Sequence, residues 1–481
     1  MNTITIGQGK EPLRIQKSML MRHGVIAGAT GTGKTITLKV IAEQLSEAGI
    51  NVFLSDVKGD LSSLAQPLEA TPDIQERLKE VGLTEHVPRA YPVTLWDIYG
   101  EKGIPLRTSI TEMGPLLLSR LLDLNDTQSG LIDVAFRIAD EEGYLLLDLE
   151  DLKAILGFMM ENASALRPHY GNIAPSSVGA ILRRLLSLEE QDANLLIGEP
   201  ALQIADLLQK PSAEGMIHIL QSQKLFLKPK LYSTLLLWLL SELFEELPEV
   251  GAIDQPKIVF FFDEAHLLFD GTSKALIEKI ELMVRLIRSK GVGIFFVTQS
   301  PLDIPDEISS QLGNKIQHAL RAYTPNELKN VRAISKTFRE AEGINVEEAI
   351  TSLRTGEAVV SVLDEKGIPT TADVAMIYPP KSKIGTLSEE MYFPLANQSP
   401  FMFKYKEPVN RESAYELLAT RAELAAQEAE RLALEKERAK LEKKKSSRMT
   451  PTESFARNVF GSAGREVGRQ IIRGILGSLR K

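Results

Sequence analysis

A glycine-rich stretch near the start of the chain has the residue types and the spacing of a phosphate-binding loop. Its eight residues fit the pattern G-x-x-x-x-G-K-[ST]. An apolar segment precedes them and an amphipathic segment follows, which predicts a strand before the loop and a helix after it. The predicted nucleotide-binding residues are Gly28, Ala29, Thr30, Gly31, Thr32, Gly33, Lys34 and Thr35.

The chemistry expected of this loop is the binding of ATP together with Mg²⁺. Glycines let the backbone wrap closely around phosphates, and the N-terminus of the following helix offers unpaired N–H groups and a positive dipole end. In such a loop Lys34 spans the β- and γ-phosphates, and Thr35 supplies a hydroxyl to Mg²⁺. The alternative is a glycine turn without a ligand, against which the flanking strand and helix argue.

An acidic pair ends the most apolar strand pattern in the chain, KIVFFFDEAHLLF at 257–269. Five consecutive apolar residues predict a buried central strand, and open α/β sheets bind ligands at the carboxyl ends of such strands. We predict that Asp263 orients Mg²⁺ through water and that Glu264 polarises the attacking water as general base. The alternative is an acidic pair that only caps the next helix. His266 is assigned no catalytic role.

Other polar residues near strand ends extend the candidate site. The strand GIFFVTQSP ends in Thr298 and Gln299, and Gln299 is predicted to sense the γ-phosphate or hold the water, unless it is only a polar strand end. Candidate arginine fingers are Arg288 and Arg321, ranked above Arg285, with surface salt bridges as the alternative for each.

The order of apolar segments predicts an α/β fold with a mostly parallel sheet covered on both faces, as in a P-loop NTPase core. The second predicted strand precedes Asp-Val-Lys-Gly-Asp at 56–60, whose carboxylates either help to hold water or metal or form a turn. Four regions follow from the pattern: the N-terminal core with the loop, an acidic helical insertion, the remaining core with the acidic pair, and a helical, basic tail. Their predicted bounds are 1–104, 105–214, 215–405 and 406–481.

Composition limits the class of protein. The 481 residues are 43% hydrophobic and 25% charged, as in soluble globular proteins, and no apolar run is long enough for a transmembrane segment. The absence of cysteine excludes disulfides and thiolate metal sites, and with no recognisable secretory signal we expect a cytoplasmic protein. The net charge is −8, but 105–250 holds 11 Lys and Arg against 21 Asp and Glu, which leaves the remainder slightly basic. A nucleic-acid partner would therefore need a locally basic surface.

Four stretches of the sequence resemble the HerA/FtsK superfamily of P-loop motor ATPases, and most closely the bacterial proteins with a HerA-like helicase C-terminal domain. They are RHGVIAGATGTGKT, DVKGDLS, VFFFDEAHLLF and RSKGVGIFFVTQSPLDIPDEISSQLGNKIQHALRAYTPNE. The resemblance covers most of the chain. It implies a RecA-like core, a hexameric ring, sites completed by an arginine of the neighbouring subunit, and translocation of DNA through the central channel.

Two functions stay open at this point. The first is a ring-forming, DNA-translocating or helicase-like ATPase, with further copies of the chain and double-stranded DNA as partners. The second is a P-loop ATPase that remodels or translocates protein, or acts as a nucleotide switch, with an unidentified protein partner and no nucleic acid. The tail contains no phosphate-binding element, so residues 411–481 are predicted to be dispensable for nucleotide binding, and the basic, amphipathic end at 455–479 is predicted to pack within the ring.

Overall fold

The structure of the chain is a computed structural model that describes residues 2–210, 212–251, 253–339 and 342–446. The chain divides into one unit of Met1–Glu416 and a second of Leu417–Lys481. In the second unit the described residues belong to a single helix. The predicted amphipathic end at 455–479 lies outside the described residues.

Among the described residues, twelve strands form one sheet. In chain order they are β1 (Thr3–Gln8), β2 (Pro12–Gln16), β3 (Gly24–Ala27), β4 (Asn51–Asp56), β5 (Val93–Asp97), β6 (Ile104–Pro105), β7 (Ile217–Gln221), β8 (Ile258–Phe262), β9 (Val292–Thr298), β10 (Asn314–His318), β11 (Glu357–Ser361) and β12 (Asp373–Ile377). Across the sheet the order is β2-β1-β12-β11-β10-β3-β9-β8-β4-β7-β5-β6. The strands from β10 to β6 run parallel, and β11, β12, β1 and β2 extend the sheet antiparallel, which confirms the predicted mostly parallel α/β fold.

Helices connect the strands and form the insertion. In chain order the described helices are α1 (Lys34–Glu47), α2 (Pro72–Glu80), α3 (Ile110–Leu121), α4 (Asp126–Glu142), α5 (Leu149–Glu161), α6 (Ala163–Tyr170), α7 (Pro175–Glu189), α8 (Ala193–Leu196), α9 (Ile204–Leu207), α10 (Pro229–Glu246), α11 (His266–Phe269), α12 (Lys274–Ile287), α13 (Asp306–Ser309), α14 (Pro325–Ser335), α15 (Val346–Ser352), α16 (Glu389–Gln398), α17 (Met402–Tyr405) and α18 (Ala414–Ser446). Helices α3 to α9 separate β6 from β7 along the chain. None of the helices in the described ranges is both long and apolar enough to cross a bilayer.

The central strands are buried on both faces, which explains their nearly continuous apolar sequences. Every residue of β8 and of β9 is buried. Successive side chains of a strand point to opposite faces. Phe261 and Phe295 belong to the core cluster that includes the apolar side of α1. Phe260 points to the other face and stacks on Phe53, with ring centroids 4.9 Å apart.

The strand before the glycine-rich loop lies inside the parallel part of the sheet. β3 pairs with β9 on one side and with β10 on the other. β8 is the next strand beyond β9, so the glycine loop and the acidic pair leave the same edge of the sheet with one strand between them. β1 and β2 pair as an N-terminal hairpin, which joins the far edge of the sheet through β12.

Candidate active site

The glycine loop connects β3 to α1 and requires glycine at two positions for both conformation and space. Gly28 has φ +153° and Gly33 has φ +119°, which residues with a side chain rarely adopt. A Cβ atom on Gly28 would lie 2.5 Å from His318 Cβ, and one on Gly33 would lie 3.1 Å from the backbone of Gly356. The loop is therefore packed directly against the chain behind it.

Backbone hydrogen bonds fasten the same loop to its neighbours. Gly28 N donates to the carbonyl oxygen of Thr298 at 3.3 Å, and Ala29 N donates to that of Ala319 at 2.9 Å. Gly356 N donates to the carbonyl oxygen of Thr32 at 3.0 Å. The loop is thus held at the ends of β9 and β10 and at the start of β11.

Lys34 extends back across the mouth of the loop. Its ammonium group donates to the carbonyl oxygens of Gly28 and Ala29, the latter at 3.1 Å, and the residue is 7% exposed. Burial lowers the pKa of Lys34, and the nearby charge of Lys58 lowers it further. The cavity beside it has a volume of about 360 Å³, and Gly31, Gly33 and Thr35 also line it. These residues fit a bound phosphate chain, because backbone, cation and hydroxyl converge on one space.

Asp263 is the first residue after β8, and hydrogen bonds to its backbone fix its position. Its N–H donates to Ser55 Oγ at 2.9 Å, and the hydroxyl of Tyr232 donates to its carbonyl oxygen at 2.7 Å. Its carboxylate accepts the N–H of Glu264 at 2.9 Å. Burial and the adjacent Glu264 carboxylate raise the pKa of Asp263 to about 7. A bound cation nearby would favour its ionised form, as expected of an Mg²⁺-orienting carboxylate.

Glu264 has an unusual backbone and an unsatisfied carboxylate. Its φ is +48°, in the left-handed region that residues other than glycine seldom occupy. The residue is 8% exposed, and its buried Oε2 accepts no hydrogen bond from a described residue. His266 Nδ1 lies 3.4 Å from this oxygen, which is within ion-pair range but lacks hydrogen-bond geometry. A buried carboxylate oxygen without a donor is costly, so the arrangement suits a group that takes a proton or hydrogen bond from a bound reactant.

Thr298 and Gln299, the polar pair at the end of β9, have different surroundings. Thr298 Oγ1 donates to Asp303 Oδ2 at 2.8 Å, so this hydroxyl is engaged in closing the following turn. Gln299 is exposed and lines a cavity of about 410 Å³ together with Ala29, His266 and others. Of this pair, Gln299, the residue predicted to act at the site, presents its side chain to the space next to the loop.

The arginine candidates lie at opposite edges of the sheet. Arg321 follows β10 and lines the same cavity as Gln299, and its guanidinium donates to the carbonyl oxygen of Thr351 at 3.0 Å. Arg288 instead precedes β9, at the edge where the parallel strands begin. Arg285 pairs with Glu281 at 3.3 Å. The two arginines that sequence ranked together thus cannot have the same relation to the loop.

The Asp-Val-Lys-Gly-Asp stretch after β4 forms a turn closed by its first carboxylate. Asp56 accepts the N–H groups of Gly59 at 2.7 Å, Leu61 at 3.1 Å and Ser62 at 3.2 Å. Burial and the nearby Asp60 raise the pKa of Asp56 to about 6. Between the two alternatives for this carboxylate, these bonds support the turn.

The sequence matches the family described as helicase HerA-like C-terminal over residues 2–481. The chain belongs to this family. Among curated proteins, this HerA-like chain is 24% identical over 376 residues to the DNA double-strand break repair helicase HerA of Sulfurisphaera tokodaii, covering 74% of this chain and 66% of that protein. It is 22% identical over 363 residues to the HerA of Sulfolobus acidocaldarius, covering 74% and 65%. The HerA-like chain therefore spans just under two thirds of the length of these relatives.

Solved structures share the fold of this HerA-like chain. VirB4 of Thermoanaerobacter pseudethanolicus aligns with a TM-score of 0.50 and 16% identity, covering 81% of this chain and 98% of VirB4. The plasmid coupling protein TrwB in complex with the GTP analogue GDPNP aligns with a TM-score of 0.51 and 13% identity, covering 81% and 91%. This likeness confirms the RecA-like P-loop fold that the resemblance implied.

Sequence reasoning on the HerA-like chain missed three residues at the site. His318, at the end of β10, lies under the loop; Tyr232, on α10, holds the backbone of Asp263; and Lys58 lines the phosphate cavity. The signal for His318 was a polar side chain in a buried strand pattern, which commonly marks a functional edge. Tyr232 carried no local signal, because only the packing of α10 brings it to β8.

Proposed function

We propose that this chain is a ring-forming ATPase that hydrolyses ATP and translocates double-stranded DNA. The buried Glu264 carboxylate, one strand away from the phosphate loop and with an unsatisfied oxygen, is the observation that carries hydrolysis. A P-loop that only binds nucleotide, or one that transfers phosphate to another acceptor, has no need of a base for water.

The residues divide the work of hydrolysis between them. The loop N–H groups and Lys34 bind the phosphates, and Thr35 and Asp263 would hold Mg²⁺, which neutralises charge on the phosphates when bound. Glu264 orients the attacking water and accepts its proton. Gln299 and Arg321 face the same edge, where they contact the γ-phosphate or the water. The plasmid coupling protein TrwB, whose fold is similar, has been solved in complex with ADP and Mg²⁺, which supports the same ligands here.

The position of Arg288 supports the proposed ring. It begins the turn before β9, whose seven residues span roughly 20 Å at about 3.3 Å per residue, so its guanidinium does not reach the loop of its own subunit. Arg22 precedes β3 at the same edge, and the two guanidiniums line a cavity of about 190 Å³ without a carboxylate among its lining residues. Neither forms a hydrogen bond or ion pair through its side chain with a described residue. This pair supports a cyclic assembly in which each subunit completes its neighbour's site.

DNA is proposed as the substrate because the relatives that share the family are described as repair helicases. The residues outside 105–250 are slightly basic although the chain as a whole carries −8, which is compatible with a local basic surface. Contacts of lysine and arginine with phosphates release counterions, so DNA stimulation should fall steeply with salt.

The deciding experiment measures the ATPase rate of the purified chain with double-stranded DNA, single-stranded DNA and no DNA, each at low and moderate salt. We expect DNA to raise the rate, with double-stranded DNA at least as effective as single-stranded DNA, and the rise to shrink with salt. If ATP is hydrolysed but neither form binds or changes the rate, the second function takes its place. That function, an ATPase acting on protein or serving as a nucleotide switch, is favoured by the net charge of −8.

A further inference from the structure

We propose that Lys58 is a second phosphate-binding cation, which contacts the terminal phosphate and makes the site prefer a nucleoside triphosphate to a diphosphate. This inference rests on the proposed function and adds a residue that the phosphate-loop pattern does not contain. Lys58 belongs to the turn after β4 and lines the cavity of about 360 Å³ together with Lys34 and Thr35.

The turn that carries Lys58 is rigid. On its inner side, the carboxylate of Asp56 accepts three backbone N–H groups from the residues that follow Lys58. On its outer side, the buried ammonium of Lys39 donates to the carbonyl oxygen of Asp60 at 3.2 Å and to Ser63 Oγ at 2.6 Å. A turn fixed from both sides presents its lysine at one place with little loss of backbone entropy on binding.

The turn is also packed against the next strand end. Gly59 has φ +82°, and a Cβ atom there would lie 2.5 Å from Gln223 Nε2. The positive φ of Gly59 therefore favours glycine directly after Lys58, and the Gln223 side chain packs against this turn. Lys58 itself is exposed and forms no hydrogen bond or ion pair with another described residue.

Lys34, Lys39 and Lys58 all line this cavity, and the Lys39 ammonium is already engaged by the carbonyl oxygen of Asp60 and by Ser63 Oγ. Lys34 and Lys58 present two further positive charges to the same cavity, where like charges repel each other. A phosphate chain between them would remove this repulsion and pair both charges. Asp60 lines the same cavity but forms no ion pair with Lys58 among the described contacts.

The terminal phosphate is the part of the nucleotide that Lys58 meets. β4 pairs in parallel with β8, and Asp263 N donates to Ser55 Oγ at 2.9 Å, so the turn after β4 that carries Lys58 leaves the sheet edge beside the acidic pair. That side carries the predicted water-activating residue, so it receives the γ-phosphate. Lys58 is thus positioned to favour the triphosphate over the product diphosphate.

The test measures the affinity of the full chain for a β,γ-imido ATP analogue and for ADP, each with Mg²⁺. For Lys58→Ala we expect the affinity for the analogue to fall about tenfold or more, and that for ADP to change less than about twofold, because a charge-assisted hydrogen bond is lost only with the triphosphate. Lys58→Arg should restore most of the difference. Lys366→Ala is the matched control, since Asp364, Glu365, Lys366 and Gly367 repeat the Asp-x-Lys-Gly turn away from the phosphate cavity.

The outcomes separate this inference from the function on which it rests. If the unmodified chain binds neither nucleotide, the proposed function fails. If the chain binds both, Lys34→Ala abolishes binding and Lys58→Ala binds the analogue normally, only the role of Lys58 is overturned. An equal loss for the analogue and for ADP overturns the triphosphate preference. Because Lys58 is exposed, we expect Lys58→Ala to unfold at the temperature of the unmodified chain; if it does not, Lys58→Gln is measured in its place.

Discussion

His318 lies directly behind Gly28, so closely that a methyl group on the glycine would come within 2.5 Å of the Cβ atom of the histidine. The imidazole is fixed by two hydrogen bonds: Nδ1 donates to the carbonyl oxygen of Glu357 at 2.8 Å, and Nε2 accepts from Thr37 Oγ1 at 2.8 Å. Burial lowers the pKa of His318 to about 4, so the ring is neutral at neutral pH and supports the loop as a rigid wall.

Gly28→Ala should therefore weaken nucleotide binding by about tenfold or more, because the added Cβ atom forces the loop away from His318 and costs about 1.4 kcal/mol of strain or more. Gly31→Ala is the matched control: Gly31 also has positive φ, but its Cβ atom would meet nothing within 4 Å. Calorimetric titration with an ATP analogue measures both. Equal losses in the two variants would show that backbone conformation, and not the wall behind Gly28, sets the effect.

Lys34→Ala and Glu264→Gln should fail in different ways. The first variant loses nucleotide binding, because its cation holds phosphate, whereas the second keeps ATP bound and loses about a hundredfold or more in turnover, the scale of a positioned base. Glu278→Gln serves as control, since this exposed residue of α12 forms an ion pair with Lys274 and lies outside the acidic pair. Normal ATP hydrolysis by Glu264→Gln would show that another group activates the water.

Arg288 should act on the site of a neighbouring subunit. We expect Arg288→Ala to reduce turnover by up to about a thousandfold, the scale of an arginine finger, and Arg22→Ala to reduce it as well. Mixing Arg288→Ala with Lys34→Ala subunits should recover part of the activity, because one variant keeps an intact loop and the other an intact arginine. Native mass measurement with an ATP analogue should show a cyclic oligomer, six subunits being expected.

The mixing experiment has an internal control in Arg321, which lies at the same sheet edge as its own loop. Arg321→Ala mixed with Lys34→Ala should recover nothing, because both changes damage the same kind of site from within the subunit. Recovery with Arg321→Ala, or none with Arg288→Ala, would reverse the assignment. A monomer with full activity would contradict the ring itself.

His23 should make the protein less stable in acid. Its Nε2 donates to the carbonyl oxygen of Val284 at 2.8 Å and its Nδ1 accepts the N–H of Ile294 at 3.1 Å, so a second proton breaks the latter bond. Burial, opposed by the bond to Val284 and helped by the charges of Arg288 and Arg22, lowers the pKa of His23 from 6.5 to about 4.

Between pH 6.5 and 4 the unfolded chain therefore binds a proton at His23 that the folded chain does not, and the free energy of unfolding should fall by about 3 kcal/mol over this range from this residue alone. Urea unfolding at several pH values measures the slope. In His23→Gln the slope should decrease by about one proton, even though the protein is less stable at pH 7. An unchanged slope would assign the acid sensitivity to other groups.

Local patterns were enough to predict the glycine loop, the acidic pair and the mostly parallel sheet. Each prediction rests on a pattern of residues that are close together in the sequence, such as the five apolar residues before Asp263. The sequence marks His318 as a polar residue in a buried strand pattern, but its contact with the loop was not predictable, because β10 reaches β3 only in the folded sheet. The opposite positions of Arg288 and Arg321 could have been inferred: in a parallel sheet, a residue before a strand and one after a strand lie at opposite edges.

The environments of Thr298, Gln299 and Lys58 could not be predicted, because they depend on residues in the following turn or far away in the sequence. Thr298 and Gln299 look equivalent in the sequence, but Asp303 takes the threonine hydroxyl and leaves the glutamine for the cavity. In the sequence Lys58 belongs to a stretch that is typical of a surface turn, whereas in the structure it lines the same cavity as Lys34. The sequence shows which residues are polar or charged, but it does not show which hydrogen-bond partner each of them has in the folded protein.

The position of β3 between β9 and β10 has a consequence for how the protein is made. The strand that carries the loop is complete at residue 27, but its two partners are translated only at residues 292–298 and 314–318. Until then a ribosome-bound chain has two unpaired edges on a buried strand, and such long-range pairing is slow and prone to aggregation. Messages cut short before residue 292 therefore yield fragments with a nucleotide-loop sequence but neither partner strand of β3, and these fragments are expected to be substrates for chaperones and proteases.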